Sequence, residues 1–268
     1  MKKWLKITLW CLFLIGLGVV AFFVKKAIDD QLLPAPEISV HAEAEAAFLT
    51  SAEIKQRLMD ARLIFEGQQR DELNIEEVEK FIRGISQVKE VEVFQSIDGA
   101  WRVDITMRKP IARIFNNFEE TFYLDSEGNV VQISPNHTAR VLVVTGDVKD
   151  RLNSVSAQEI INNDSLISIR KLDDIYRIST YVCNDPLFHS LIGQIHLEKN
   201  GDFVLIPLVG DQEIIFGSAF SEQEVKDKFK KLEIFYKEAM PFEGWQTYEA
   251  INLKFDGQVV CKKKNTNE

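Results

Sequence analysis

The chain has 268 residues, 46% hydrophobic and 27% charged, the balance of folded protein rather than of a disordered chain. Its formal net charge of −9, with no basic stripe to neutralise phosphates, argues against a nucleic-acid binder. Three cysteines are too few for a disulfide framework, and the pair Cys183 and Cys261 is compatible either with one bridge or with two free thiols.

Residues 7–24 run without a charge. At ~1.5 Å per residue, a helix of that length reaches nearly across a hydrocarbon core of ~30 Å, where only a helix satisfies its own backbone. Trp4 and Trp10 suit the headgroup level at one end, and Lys25 and Lys26 can snorkel at the other. A cleaved signal peptide is the rival. Against it, the run exceeds the usual ~7–15 apolar residues and no Ala-x-Ala site separates it from the lysines. The reading is a single-pass anchor over 1–24. Lys2, Lys3 and Lys6 outnumber Lys25 and Lys26, which favours a cytoplasmic N-terminus and places the bulk of the chain outside the cytoplasm.

Residues 25–36, with Pro34 and Pro36, read as a stiffened linker. A strand is predicted at 38–40 and a loop at 43–47. Thr50-Ser51-Ala52-Glu53 is a capping box, opening a helix that ends near Asp60 and aligns Ile54 with Leu58. After a loop at 62–73, Asn74 and Glu77 open a second helix. Its apolar set is Ile75, Val78, Phe81, Ile82 and Ile85, with Gly84 at its end. Val91 and Val93 alternate with Glu90 and Glu92 in a strand at 88–94. Ile97-Asp98-Gly99 signals a hairpin turn, and the return strand puts Trp101, Val103, Ile105 and Met107 on one face. Strand, helix, helix, strand, strand makes a small domain over 37–114.

Further on, 122–131 reads as strand, turn, strand, and 140–145 as a β-branched strand ending at Gly146. Residues 165–183 read as one long helix. Leu166, Ile169, Leu172, Ile175, Tyr176 and Ser179 face inward; Lys171, Asp173, Asp174 and Arg177 face outward; Asn184-Asp185-Pro186 stops it. Strands follow at 192–198, 203–206 and 213–216. Ser221 to Glu224 is a third capping box, with Val225, Phe229, Leu232, Phe235 and Tyr236 as the buried stripe behind it. A last hairpin joins 248–255 to 258–261 through Asp256-Gly257. The second domain thus covers 115–263, and 264–268 is a disordered tail. The fold class is α+β: one transmembrane helix, a small βααββ domain, and a larger β-rich domain with helices.

Chemistry is sparse. The histidines are His41, His137, His189 and His196, and no zinc, thiol, nucleophile-elbow or phosphate-loop motif is present. Asp185, His189 and Ser190 crowd one proline turn, where triad geometry would be accidental. No catalytic residue, cofactor or metal is expected. Open sheets, however, present edge strands that accept a strand from another chain. The terminal hairpin is a natural edge, with Phe255, Val259 and Val260 to supply specificity; core packing of Phe255 and Val259 is the rival reading.

The order β-α-α-β-β directly after an anchor resembles the POTRA-type domain of the FtsQ/DivIB cell-division family. Leu49-Thr50-Ser51-Ala52-Glu53-Ile54 resembles the start of that family's first helix. Residues 85–93 resemble its helix-to-strand passage, with Gln87 where proline is common. Residues 103–112 resemble its exit motif Glu-Arg-x-Pro-x-Ala, with Met107 in the glutamate position. Leu124-Asp125-Ser126-Glu127-Gly128 and Asn252-Leu253-Lys254-Phe255 resemble the opening hairpin and terminal strand of the family's second domain. The resemblance implies a non-enzymatic, single-pass scaffold of the inner membrane, periplasmic in bulk and placed at the division septum. It implies partners of the FtsB/FtsL type, and possible contacts to FtsK- or FtsW-like proteins through the first domain. Carried onto this chain, the partner site falls on Lys254, Phe255, Gln258 and Val259. Two rivals remain: an outer-membrane assembly component bearing a POTRA-like domain, disfavoured by the helical anchor, and an envelope hydrolase using His189, Ser190 or His196.

Overall fold

The computed structural model describes residues 2–42, 49–96, 100–135, 137–167 and 169–264. The loop expected at 43–47, the turn at 97–99 and the tail beyond Lys264 lie outside them. Helix α1 (Lys2–Asp29) contains one segment, Ile7–Ile28, long and apolar enough to cross a membrane, with a mean hydropathy of 2.6 and none of it buried. The helix runs past the expected end of the span. The stretch expected as a stiffened linker makes contacts with the first unit. Leu33 donates its N–H to Gln68 O (2.8 Å), Arg70 donates to Gln31 O (3.1 Å), and the Trp101 indole donates to Pro34 O (2.9 Å).

The first compact unit comprises Met1–Ala42 and Leu49–Met107. Its strands are β1 (Glu37–His41), β2 (Val88–Gln95) and β3 (Trp101–Met107), in the order β1-β3-β2 with β1 parallel to the central β3. Helix α2 (Ser51–Asp60) is capped as the sequence predicts, whereas α3 (Ile75–Arg83) carries only the Asn74 half of its expected box. Thr50 and Glu53 form the reciprocal box, and Asn74 Oδ1 accepts the Glu77 N–H at 3.2 Å. Such caps satisfy donors that a helix leaves open at its start. Trp101, Val103, Ile105 and Met107 are all buried, together with Ile54, Leu58, Val78 and Ile82. Phe81 is not part of that core: it lies one position off the Val78–Ile82–Ile85 stripe and is 37% exposed. The loop at 62–73 is ordered by buried Gln68, whose side chain accepts the Phe65 N–H and donates to Leu63 O and Glu72 O.

The units divide between Met107 and Arg108. Strand β4 (Pro110–Phe115), expected within the first domain, belongs to the second sheet, because Ala112 and Ile114 share that sheet's core. The other strands are β5 (Thr121–Asp125), β6 (Val130–Gln132), β7 (Leu142–Gly146), β8 (Ile192–Leu197), β9 (Phe203–Pro207), β10 (Glu213–Gly217), β11 (Tyr248–Asn252) and β12 (Val260–Lys263). They form one sheet of nine, ordered β12-β11-β10-β9-β8-β7-β4-β5-β6. A single in-register row crosses it: Phe122, Ile114, Val144, Ile195, Leu205, Ile214, Ile251 and Cys261. All but Cys261 are fully buried, against helices that cover this face. The row on the opposite face, Thr145, His196, Val204, Ile215, Asn252 and Val260, is mixed in polarity, as expected of a sheet face without helices.

The covering helices are α4 (Ala157–Ile161), α5 (Asp164–Ile167), α6 (Leu172–Asn184), α7 (Pro186–Leu191), α8 (Glu222–Ile234) and α9 (Met240–Glu243). The helix expected over 165–183 is two helices, with Ile169 70% exposed at the break. There the Lys171 N–H is taken by Asp150 Oδ2 at 3.2 Å, so a carboxylate from a distant loop starts α6. Asp173, Asp174 and Arg177, expected outward, are buried. Arg177 Nη1 donates to Asp174 Oδ1 (2.9 Å) and Ala219 O (3.0 Å), and its Nη2 lies 2.9 Å from Asp173 Oδ2. Burial pushes the Asp150 and Asp174 carboxyls up. Ser221 caps α8, but Glu224 turns to the Phe220 N–H and to Lys228 rather than closing a reciprocal box. A π-helical turn, Phe235–Ala239, links α8 to α9 just before Pro241, which has no N–H to continue the helix. Phe235 is consequently only half-buried, while Tyr236 stays inside and its hydroxyl accepts from Gln212 Nε2 at 3.0 Å.

Candidate functional site

Strand β12 ends the sheet: β11 pairs it on one side, and no strand pairs it on the other among the described residues. It follows a parallel pair, because β11 returns beside β10 through α8 and α9. The hairpin differs from the expected one. Strand β11 stops at Asn252 and β12 starts at Val260, leaving 253–259 as a loop.

The five candidate residues separate accordingly. Val260 lies on the strand itself, 43% exposed, on the helix-free face opposite Asn252. Phe255 projects from the loop at 46% exposure, which settles against its burial in the core. Val259 is half-buried and packs against the core, so the core reading holds for it in part. Gln258 is exposed. Lys254 is exposed but committed, with Nζ 2.6 Å from Asp202 Oδ2 at the β8–β9 turn. Its N–H also donates to Asn252 Oδ1 at 3.0 Å.

Two residues that hold the 253–259 loop escaped the sequence reading. Lys231, on α8, donates from Nζ to Leu253 O (2.9 Å) and Phe255 O (2.7 Å). Asp202 is the anchor for Lys254. Nothing in local sequence marks either residue, since both act across more than 20 positions. The last strand is also fenced by exposed ion pairs, Lys262 with Glu249 (2.7 Å) and Lys263 with Glu243 (2.9 Å). Glu243 raises the Lys263 ammonium, and burial pushes the Cys261 thiol up.

The residues of the alternative site have partners of their own. Asp185 Oδ1 caps α7 by accepting the Leu187 and Phe188 N–H groups, and Ser190 Oγ donates back to Pro186 O. The aspartate and serine are therefore occupied as a helix cap and a backbone bond. His196 lies on the open sheet face, its Nδ1 3.1 Å from Thr145 Oγ1. Among the described residues no group of three or more His, Cys, Asp or Glu side chains could hold a metal ion. Cys183 and Cys261 are free thiols.

Comparison with known proteins divides the chain at the same place as the fold. A family model for the POTRA-like domain matches residues 35–106, and one described as FtsQ/DivIB, C-terminal related, matches 109–262. No curated protein matches the chain. With more than half its length matched behind one apolar helix, the chain belongs to the FtsQ/DivIB C-terminal related family of cell-division proteins.

Proposed function

We propose that this protein is a non-enzymatic, bitopic scaffold of the bacterial division machinery, with its N-terminus in the cytoplasm and both folded units in the periplasm. Its second unit holds small coiled-coil partners of the FtsB/FtsL type by strand addition at β12 during septum formation. Backbone hydrogen bonds supply affinity there, and Phe255, Gln258, Val259 and Val260 supply side-chain selectivity. The first unit serves recruitment by upstream division proteins of the FtsK or FtsW type.

One observation carries the reading: β12 is the outermost strand of the sheet, and the loop that leads into it carries an exposed aromatic, Phe255. The test is affinity purification of the tagged full-length chain from gently solubilised membranes, followed by mass spectrometry. FtsB- and FtsL-like proteins are expected to co-purify and to be lost from Phe255→Asp. Co-purification that survives Phe255→Asp moves the site elsewhere. Capture of barrel or lipoprotein assembly components instead overturns the function.

A further inference from the structure

The loop at 253–259 supplies Phe255 and delivers the chain to the edge strand, yet little apolar packing holds its outer part. Leu253 is fully buried and donates its N–H to Ile215 O at 2.9 Å. Beyond it, residues 254–258 are exposed. Beside this stretch lies a cavity of about 380 Å³ walled by charged side chains, among them Asp227, Lys228, Lys231, Lys254 and Asp256. A loop over such a hollow keeps one conformation only if polar contacts hold it.

Lys231 makes those contacts. Its ammonium bonds two carbonyls, Leu253 O and Phe255 O, that bracket Lys254. Lys254 in turn reaches away to Asp202. The loop is therefore held from two directions: from α8 by Lys231 and from the β8–β9 turn by Asp202. Hydrogen bonds from an ionised donor are about twice as strong as neutral ones, and an ammonium offers several donors from one point. Its neighbour Lys228 is engaged differently, with Ser218 and Glu224, and does not reach the loop carbonyls.

We infer that Lys231 is a positioning residue for partner capture: it fixes the 253–259 loop so that Phe255 and the start of β12 meet an incoming strand already in place. This rests on the strand-edge reading of β12. A loop that must be ordered on binding takes that entropy out of the affinity, whereas one ordered beforehand does not.

The test uses the full chain in detergent or nanodiscs, titrated with the purified extracytoplasmic segments of the FtsB- and FtsL-like proteins of the same organism. Lys231→Met, which keeps the aliphatic stem and removes the donors, is expected to weaken binding about tenfold. Its melting temperature should stay at the wild-type value, while amide exchange across 253–259 accelerates in the partner-free protein. Lys231→Arg, which restores charged donors, should recover most of the affinity. In a Phe255→Ala background Lys231→Met should cost almost nothing more, because Lys231 acts through the placement of Phe255. Should Met lower the melting temperature, Lys231→Gln replaces it in the same cycle. Wild-type binding by Lys231→Met while Phe255→Asp abolishes capture overturns the role of Lys231 and leaves the edge reading standing. Full additivity with Phe255→Ala does the same. Undiminished binding by both Phe255→Asp and Lys231→Met overturns the edge reading and the inference with it.

Discussion

Removing one cation from the interior of the second unit should reveal how that unit is held together. Arg177 is 7% exposed at its side chain and faces Asp173 and Asp174, at 1% and 3%. Among the described residues it is the only ion-pair partner of Asp173, whereas Asp174 also has Lys171 at 2.8 Å. Arg177→Met therefore leaves one buried carboxylate uncompensated and a second half-compensated, and strips the Ala219 carbonyl of its donor. Breaking a buried pair from one side costs roughly 3–5 kcal/mol. For a unit of this size, that lowers the melting temperature by about 6–20 °C. The loss should also depend on pH. Burial already raises the Asp174 carboxyl, and removing Arg177 raises it further. A carboxyl raised in the folded state favours folding while protonated in both states, and that advantage disappears as pH rises from the unfolded to the folded value. The penalty in the variant should thus be full at pH 7 and shrink on acidification. Urea melts of wild type and variant at pH 7 and pH 5, read by tryptophan fluorescence and circular dichroism, measure both effects. A penalty below about 1 kcal/mol, or one equal at the two pH values, would refute the claim that these charges compensate one another in the core.

Phe255→Asp should weaken partner binding strongly yet leave the unit folded. Covering the exposed 46% of an aromatic side chain of ~200 Å² is worth ~2 kcal/mol, or about thirtyfold in affinity, before any cost of burying the new carboxylate; an unfolded variant, seen by circular dichroism, would return Phe255 to the core. Ile105→Asp should unfold the first unit, since Ile105 is fully buried on the central strand of a three-stranded sheet. Protease resistance of residues 49–107 in that variant would show the reading of the sheet to be wrong. Lys254→Met should weaken partner binding less than Lys231→Met, because it removes one exposed ion pair while both loop carbonyls keep their donor. Calorimetric titration ranks the two, and the reverse order would place the decisive tether at Asp202.

The first unit was almost wholly legible in the sequence because its signals are local. A capping box, a 3.6-residue stripe and a two-residue alternation each declare themselves within ten positions, and the structure places Trp101, Val103, Ile105 and Met107 on one buried face as that alternation requires. The second unit was legible in its strands but not in its charges. Asp173, Asp174 and Arg177 satisfy the rule for an outward face until a loop carbonyl and each other compensate them. The break before α6 was hidden for a related reason, since its cap, Asp150, lies 21 positions away from Lys171. Of the loop and edge residues, Phe255 and Val260 were proposed from their position in the chain. Lys231 and Asp202 were not, because a helix lysine and a turn aspartate carry no mark of the loop they hold.

Those hidden contacts bear on how one sheet edge can be both open and selective. A free edge strand invites any extended chain, and folded proteins blunt such edges with short strands and lysines. Strand β12 does both: it is four residues long, and Lys262 and Lys263 stand on it beside Glu249 and Glu243. Four residues offer few backbone bonds, so the ladder alone would bind weakly and without preference. Selectivity must then come from outside the strand, from a side chain held beside the edge where only a matching partner gains by covering it. Under the proposed reading Phe255, exposed on the loop that leads into β12, is that side chain, and its backbone carbonyl is held by a charge from α8. If the loop were free to move, the same edge would be a promiscuous one. Strength in the ladder and choice in the loop are therefore separable, and shortening β12 should lower affinity for every strand alike, whereas loosening the loop should lower it for the right partner most.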